Sequence, residues 1–417
     1  MKKIITFLLC LILSLSTLPL FAFADDEYFS QEQIDYYKNL GLQGTTVNVY
    51  NWGEYISDGS EGSIDVVKEF EKLTGCKVNY TNFESNENMY SKLTGGGVSY
   101  DVIIPSDYMI DKLIDEDMLL ELDYNNIPNI KYVDKKFQNL FFDHDQKYTV
   151  CYNVGTTILI YNKKLVKEKP TSWDVLWDEQ YRGKVLMFNN PRDAFAIAQA
   201  RLGQDFNSTD EQDWIKAAEL LAEQKDKVNP VYVMDEVFNL MESGEYAFAT
   251  YYAGDYVLMN ENNEDLGFCI PKEDVNSFYD AFCIPKCSKN KKAGEAFINF
   301  MHEPEVALAN SEYIYYRSAN YTVEQNKKSS LYGNPAIYSN AKNIQYFKNL
   351  PQNTTELENR LWTEVKSGQL SVNSKKQDKK IYTECAVLGA LVIVVITIKI
   401  INNSKKKKEQ DLSELYD

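Results

Sequence analysis

From Thr46 onward, short apolar strands alternate with amphipathic helices, and this alternation constrains the chain more than any other feature. Val47-Asn48-Val49-Tyr50 reads as a strand, followed by a loop through Asn51-Trp52-Gly53. Ser63 is expected to cap a helix whose Ile64, Val67, Phe70 and Leu73 share one face, with Gly75 ending it. Residues 76–80 predict a strand, 89–93 a helix, and 100–104 a buried strand stopped by Pro105. Further along, strands are expected at 156–161, 185–188, 247–251 and 281–284, and helices at 194–202, 214–224, 236–242 and 292–301. Strand–helix alternation implies an α/β fold with a sheet covered on both faces. At 417 residues the chain exceeds one ordinary core, so two domains are expected.

The two ends point to export. Lys2 and Lys3 precede an apolar run over 4–20, and Ala22-Phe23-Ala24 offers small residues for cleavage, the order of a signal peptide over 1–24. Residues 25–45 are polar and read as a leader helix or linker. A second apolar run predicts a transmembrane helix over 382–402, long enough to span a bilayer. Four lysines at 405–408 follow it and place the tail, 403–417, in the cytoplasm. Residues 369–381, rich in Ser, Lys and Gln, read as its tether. The bulk of the chain is therefore expected on the extracytoplasmic face, anchored at its C-terminus.

Charge and residue inventory narrow the function. A formal net charge of −17 argues against nucleic acid and favours a cationic partner. The two histidines, His144 and His302, are expected at the surface and have no partner at catalytic or ligand spacing. Gly95-Gly96-Gly97 lacks the Lys and Ser/Thr of a phosphate loop and reads as a turn. Cys76, Cys151, Cys269, Cys283 and Cys287 are odd in number, match no metal motif, and permit no assigned pairing. No metal or cofactor is expected, and the chain reads as a binder rather than an enzyme. Strand-end loops carry aromatics beside acids: Asn51-Trp52-Gly53-Glu54-Tyr55, Pro105-Ser106-Asp107-Tyr108, Tyr251-Tyr252-Ala253-Gly254-Asp255-Tyr256 and Phe278-Tyr279-Asp280. Ligands of open α/β sheets sit outside such strand ends. Aromatic faces there suit an apolar chain or a cation, and core packing is their competing role.

Three blocks are recognisable: Tyr50-Asn51-Trp52-Gly53-Glu54-Tyr55, Phe83-Glu84-Ser85-Asn86-Glu87 with Met89-Tyr90, and the run from Tyr100 to Tyr108. With Ser172-Trp173-Asp174-Val175-Leu176-Trp177, Tyr181-Arg182-Gly183, Arg192-Asp193, Phe278-Tyr279-Asp280 and Ile314-Tyr315-Tyr316, the chain resembles the spermidine/putrescine-binding proteins of bacterial polyamine ABC transporters over about 46–368. The resemblance implies a two-lobed periplasmic-binding-protein clamp of type II with parallel or mixed sheets. Lobe one would hold 46–152 and 281–368, and lobe two 153–280. It implies that Trp52, Tyr55, Ser106, Tyr108 and Tyr316 face a polyamine from lobe one. Asp193, Tyr252, Asp255, Phe278 and Asp280 would face it from lobe two, with Asp280 and Asp193 as ionic anchors and Asp255 a third.

Asn190, Tyr252 and Phe278 depart from spermidine-preferring members, whereas Asp255 resembles the putrescine-preferring branch, so ligand length stays open. The implied function is capture of a polyamine and delivery to an ABC permease–ATPase complex. The same clamp binding another cation such as agmatine, or a membrane-anchored surface sensor or adhesin, are the alternatives.

Overall fold

The computed structural model describes residues 28–339 and 341–370, and its organisation turns on two long strands. In chain order the strands are β1 (Thr46–Trp52), β2 (Lys77–Phe83), β3 (Val102–Ile103), β4 (Thr149–Asn162), β5 (Val185–Phe188), β6 (Val231–Val233), β7 (Phe248–Tyr252), β8 (Leu266–Cys269), β9 (Val275–Cys283), β10 (Arg317–Ser318) and β11 (Ile344–Gln345). They join in the order β2-β1-β3-β9-β4-β7-β5-β6, with β8 and β10 on β4 and β11 on β9. β1 is parallel to β2 and β3, and β5 is parallel to β6 and β7, as helical crossovers require. β4 and β9 are antiparallel to each other, so the sheet is mixed. The first part of β4 lies beside β9 and its last part beside β7 and β8. These two strands therefore carry the chain from one half of the molecule to the other.

Each half has its own apolar core. Trp173, Phe188, Phe195, Trp214 and Phe248 sit in that of the second half. Phe70, Phe297 and Phe300 sit in that of the first, with a neighbouring cluster around Met89 and Ile110. Burying each such ring stabilises the fold by about 1.5–3 kcal/mol. Tyr252 packs against both halves' cores, and so does Tyr108.

Most expected elements form, with differences that have local causes. The first long helix is Val66–Thr74, capped not by Ser63 but by Asp65, whose carboxylate accepts the Lys68 N–H. Gly75 ends it with a φ of 67°. Helices Pro304–Ile314 and Gln352–Ser367 were not legible in advance; the latter packs on helix Glu211–Val228 of the second half. His302 is buried rather than at the surface, its ring edge-on to Phe282, and burial lowers its pKa to about 3, which keeps it neutral. His144 is exposed as expected. Cys76, Cys151, Cys269, Cys283 and Cys287 are all free thiols.

The expected membrane helix requires correction. Among the described residues no helix is long and apolar enough to cross a membrane. The run at 382–402 lies outside the described residues, as do the signal peptide at 1–24 and the tail at 403–417. The fold of the described residues is accordingly a two-lobed α/β arrangement.

Candidate functional site

Where β4 and β9 cross between the halves, the ends of β1, β3 and β7 converge with the middle of β9 on one cavity. It encloses about 770 Å³, counting the open solvent at its mouth, within the range of small-molecule sites. All ten residues expected from the sequence line it: Trp52, Tyr55, Ser106, Tyr108 and Tyr316, with Asp193, Tyr252, Asp255, Phe278 and Asp280.

Asp280 is the best-held carboxylate. β9 brings it beside Ser106, with which it forms an isolated bridge. Its Oδ1 accepts the Ser106 hydroxyl at 2.7 Å and its Oδ2 accepts the Tyr55 hydroxyl at 2.7 Å. Burial raises its pKa to about 6, against the lowering by these two donors. Asp193 lies in the first turn of helix Pro191–Leu202, after the capping Asn190. Its Oδ2 accepts the Tyr252 hydroxyl at 3.0 Å and the Asn190 amide at 2.8 Å. Burial pushes it up to about 7, with Glu87 adding to the rise. Asp255, in the first turn of helix Ala253–Asn262, accepts the Tyr316 hydroxyl at 2.9 Å. Burial and the neighbouring Asp235 and Glu54 carry it to about 8.

Aromatic rings close the space between these acids. Tyr316 meets Tyr55 edge-on at 4.8 Å between centroids, and Tyr252 meets Phe278 edge-on at 5.2 Å. The Trp52 indole N–H donates to the Ile104 carbonyl at 2.9 Å, which fixes its ring over Phe83. Tyr108 donates to Glu87 at 2.7 Å.

Two glycines make these placements possible. A Cβ at Gly155 on β4 would stand 2.0 Å from the Phe278 ring, and one at Gly254 would stand 2.6 Å from the Tyr316 ring. Neither distance is one that carbon atoms tolerate. Tyr315, at a φ of 58°, ends helix Pro304–Ile314 in the left-handed region, and Tyr316 follows at the cavity wall.

The cavity also holds acids that sequence reasoning did not single out. Glu54 and Asp107 stand inside blocks already recognised, so their signal was present. Asp107 accepts the backbone N–H groups of Tyr108 at 2.8 Å and Tyr279 at 3.3 Å, and burial holds its pKa well above the ordinary carboxylate value. Asp235, which accepts the Tyr251 hydroxyl at 3.1 Å, carried only its position after β6 as a clue. Phe347 arrives because β11 pairs with β9, a contact between distant segments. In total seven carboxyl side chains line the cavity, and no lysine, arginine or histidine does. Among the described residues no cluster of His, Cys, Asp and Glu could hold a metal ion. Acids interleaved with rings suit a cation with an apolar body.

Comparison with known proteins agrees. Residues 65–337 match the family model of the bacterial extracellular solute-binding proteins. The spermidine/putrescine-binding periplasmic protein 1 of Haemophilus influenzae is 32% identical over 73% of this chain and 83% of its own length. The putrescine-binding periplasmic protein PotF of Escherichia coli is 29% identical over 79% of this chain and 94% of its own. Among solved structures, the spermidine/putrescine ABC transporter substrate-binding protein PotD of Streptococcus pneumoniae aligns with a TM-score of 0.66. It is 32% identical and covers 78% of this chain and 99% of that one. The chain thus belongs to the bacterial extracellular solute-binding proteins, a family of transport proteins that bind their solutes without catalysis.

Proposed function

We propose that this protein captures a polyamine, spermidine or putrescine, outside the cytoplasm and delivers it to an ABC importer. The observation that carries the reading is a cavity walled by seven carboxyl groups and by aromatic rings, with no basic side chain among its lining. An ammonium leaves water only where it is paired and hydrogen-bonded, and Asp280, Asp193 and Asp255 offer that at separate points of the cavity. Trp52, Tyr252 and Phe278 line the space for the aliphatic spacer and exclude water. Ser106, Tyr55, Tyr108 and Tyr316 orient the acids or accept N–H groups. The named ligands of the similar proteins from Haemophilus influenzae and Escherichia coli support the same ligand class.

The clamp reading assigns lobe one to 46–152 and 281–368 and lobe two to 153–280. The crossing of β4 and β9 supports this division, and the last helix of the return segment reaches over to lobe two. A thermal-shift panel of spermidine, putrescine, agmatine, amino acids and sugars tests the function. Stabilisation by the two polyamines above all others is expected. Stabilisation by amino acids or sugars, with none by any amine, would refute it.

A further inference from the structure

Among the described residues the acids of the cavity form no ion pair with a basic side chain. The ion pairs among the described residues lie elsewhere, and none includes Asp193, Asp255 or Asp280. Asp255 faces the Tyr316 hydroxyl, Tyr251, Asp235 and Glu54. Asp193 faces Tyr252, Asn190, Asn276, Tyr108 and three charged groups, Glu87, Arg192 and Glu358. Arg192 is the guanidinium that acts on Asp193 and Asp107. Its Nη2 donates to the Asn207 side chain at 2.9 Å and the Lys348 carbonyl at 3.3 Å, and it lies 4.7 Å over the Phe347 ring. Asp280 faces Tyr55, Ser106, Asp107, Cys151 and Tyr152. Asp193 and Asp280 are buried and Asp255 is half-buried against Tyr316, and among the described residues none of the three forms an ion pair with a basic side chain.

Resting on the polyamine reading above, we infer that the cavity exchanges protons for its ligand. The empty site stores protons on its buried carboxyls, and a seated polycation displaces them into solvent. Burial, moderated by the hydroxyl donors and increased by acids near Asp193 and Asp255, places Asp280, Asp193 and Asp255 at about 6, 7 and 8, so near neutral pH the cavity without ligand is partly protonated. An ammonium in contact favours the ionised form and reverses that effect. Aliphatic amines titrate well above 7, so at pH 7 the ligand stays charged and the protein carries the proton exchange.

The sign follows from linkage. Ligand affinity rises as pH rises from about 5 to 8, about tenfold per pH unit for each proton displaced. The empty protein responds in the opposite direction. Carboxyls raised on folding add stability below their unfolded pKa, and that stability is lost as pH climbs through about 6 to 8. The melting temperature of the empty protein therefore falls over this window, while the rise produced by ligand grows.

The test is calorimetric titration of the full chain with spermidine at pH 7, in buffers of different ionisation enthalpy. The dependence of heat on buffer gives the protons released, expected between about one and two. The Asp255→Asn variant should release fewer. Binding with heat independent of buffer would overturn proton exchange and leave polyamine capture standing. A release unchanged in both Asp255→Asn and Asp193→Asn would overturn the assignment to these carboxyls. No binding of any polyamine would overturn the reading beneath it.

Discussion

The Asp280 end and the Asp255 end of the cavity differ in how their acids are held. Asp280 receives two hydroxyls, one on each oxygen, both from the first half of the molecule. Asp255 receives one, from Tyr316, and sits beside Asp235 and Glu54. Asp193 is intermediate, with Tyr252, Asn190 and Asn276 as donors, Arg192 in its favour and Glu87 against it. The pKa values follow this order, about 6, 7 and 8. Asp193 and Asp280 are buried and Asp255 is half-buried, and in all three burial raises the pKa while donors and neighbouring charges adjust it. One end is a carboxylate prepared for an ammonium. The other becomes one only when the ammonium arrives.

Replacements at the two ends sharpen this contrast. Asp280→Asn is expected to weaken polyamine binding most, by at least about thirtyfold in a calorimetric titration at pH 7.5, because a buried ammonium would lose its ionised partner. Asp255→Asn should weaken it by only about tenfold at pH 8 and less at pH 6, where the native carboxyl already carries a proton. Equal losses at both positions and both pH values would erase the distinction between the ends.

Gly155→Ala tests the wall between them. The new methyl group meets the Phe278 ring, so urea unfolding should show a loss of about 1–3 kcal/mol and the ring should shift from its place beside Tyr252. The smallest effect is expected for Tyr55→Phe, which removes one of the two hydroxyls on Asp280. Affinity should fall about fivefold, and the pH dependence of binding should move upward as the Asp280 carboxyl loses a donor.

Much of this arrangement was readable in the sequence because the site is built from strand ends. Trp52, Ser106 and Tyr252 each stand at or near the end of a strand that periodicity and the recognised blocks had located, whereas Phe278 and Asp280, expected in a loop before a strand at 281–284, lie inside β9. Helices with clear apolar faces, such as Val66–Thr74, were equally plain. What was not legible depends on contacts between distant segments. Asp235 reaches the cavity only because β6 lies at the edge of the second half, and Phe347 only because β11 adds to β9. His302, expected at the surface, is buried because helix Lys291–Met301 ends against Phe282. A single polar residue gives no periodic signal of which side it faces. Nor could residue types alone tell how deeply each aspartate would be buried or which donors and acids would surround it, and these together set its charge.

Titration calorimetry of the wild-type protein with spermidine and with putrescine at pH 8 tests the central claim most directly. Saturable binding of one polyamine per chain, with a dissociation constant in the micromolar range or tighter, is the expected result. The absence of saturable heat with either polyamine, from protein that melts cooperatively, would contradict it.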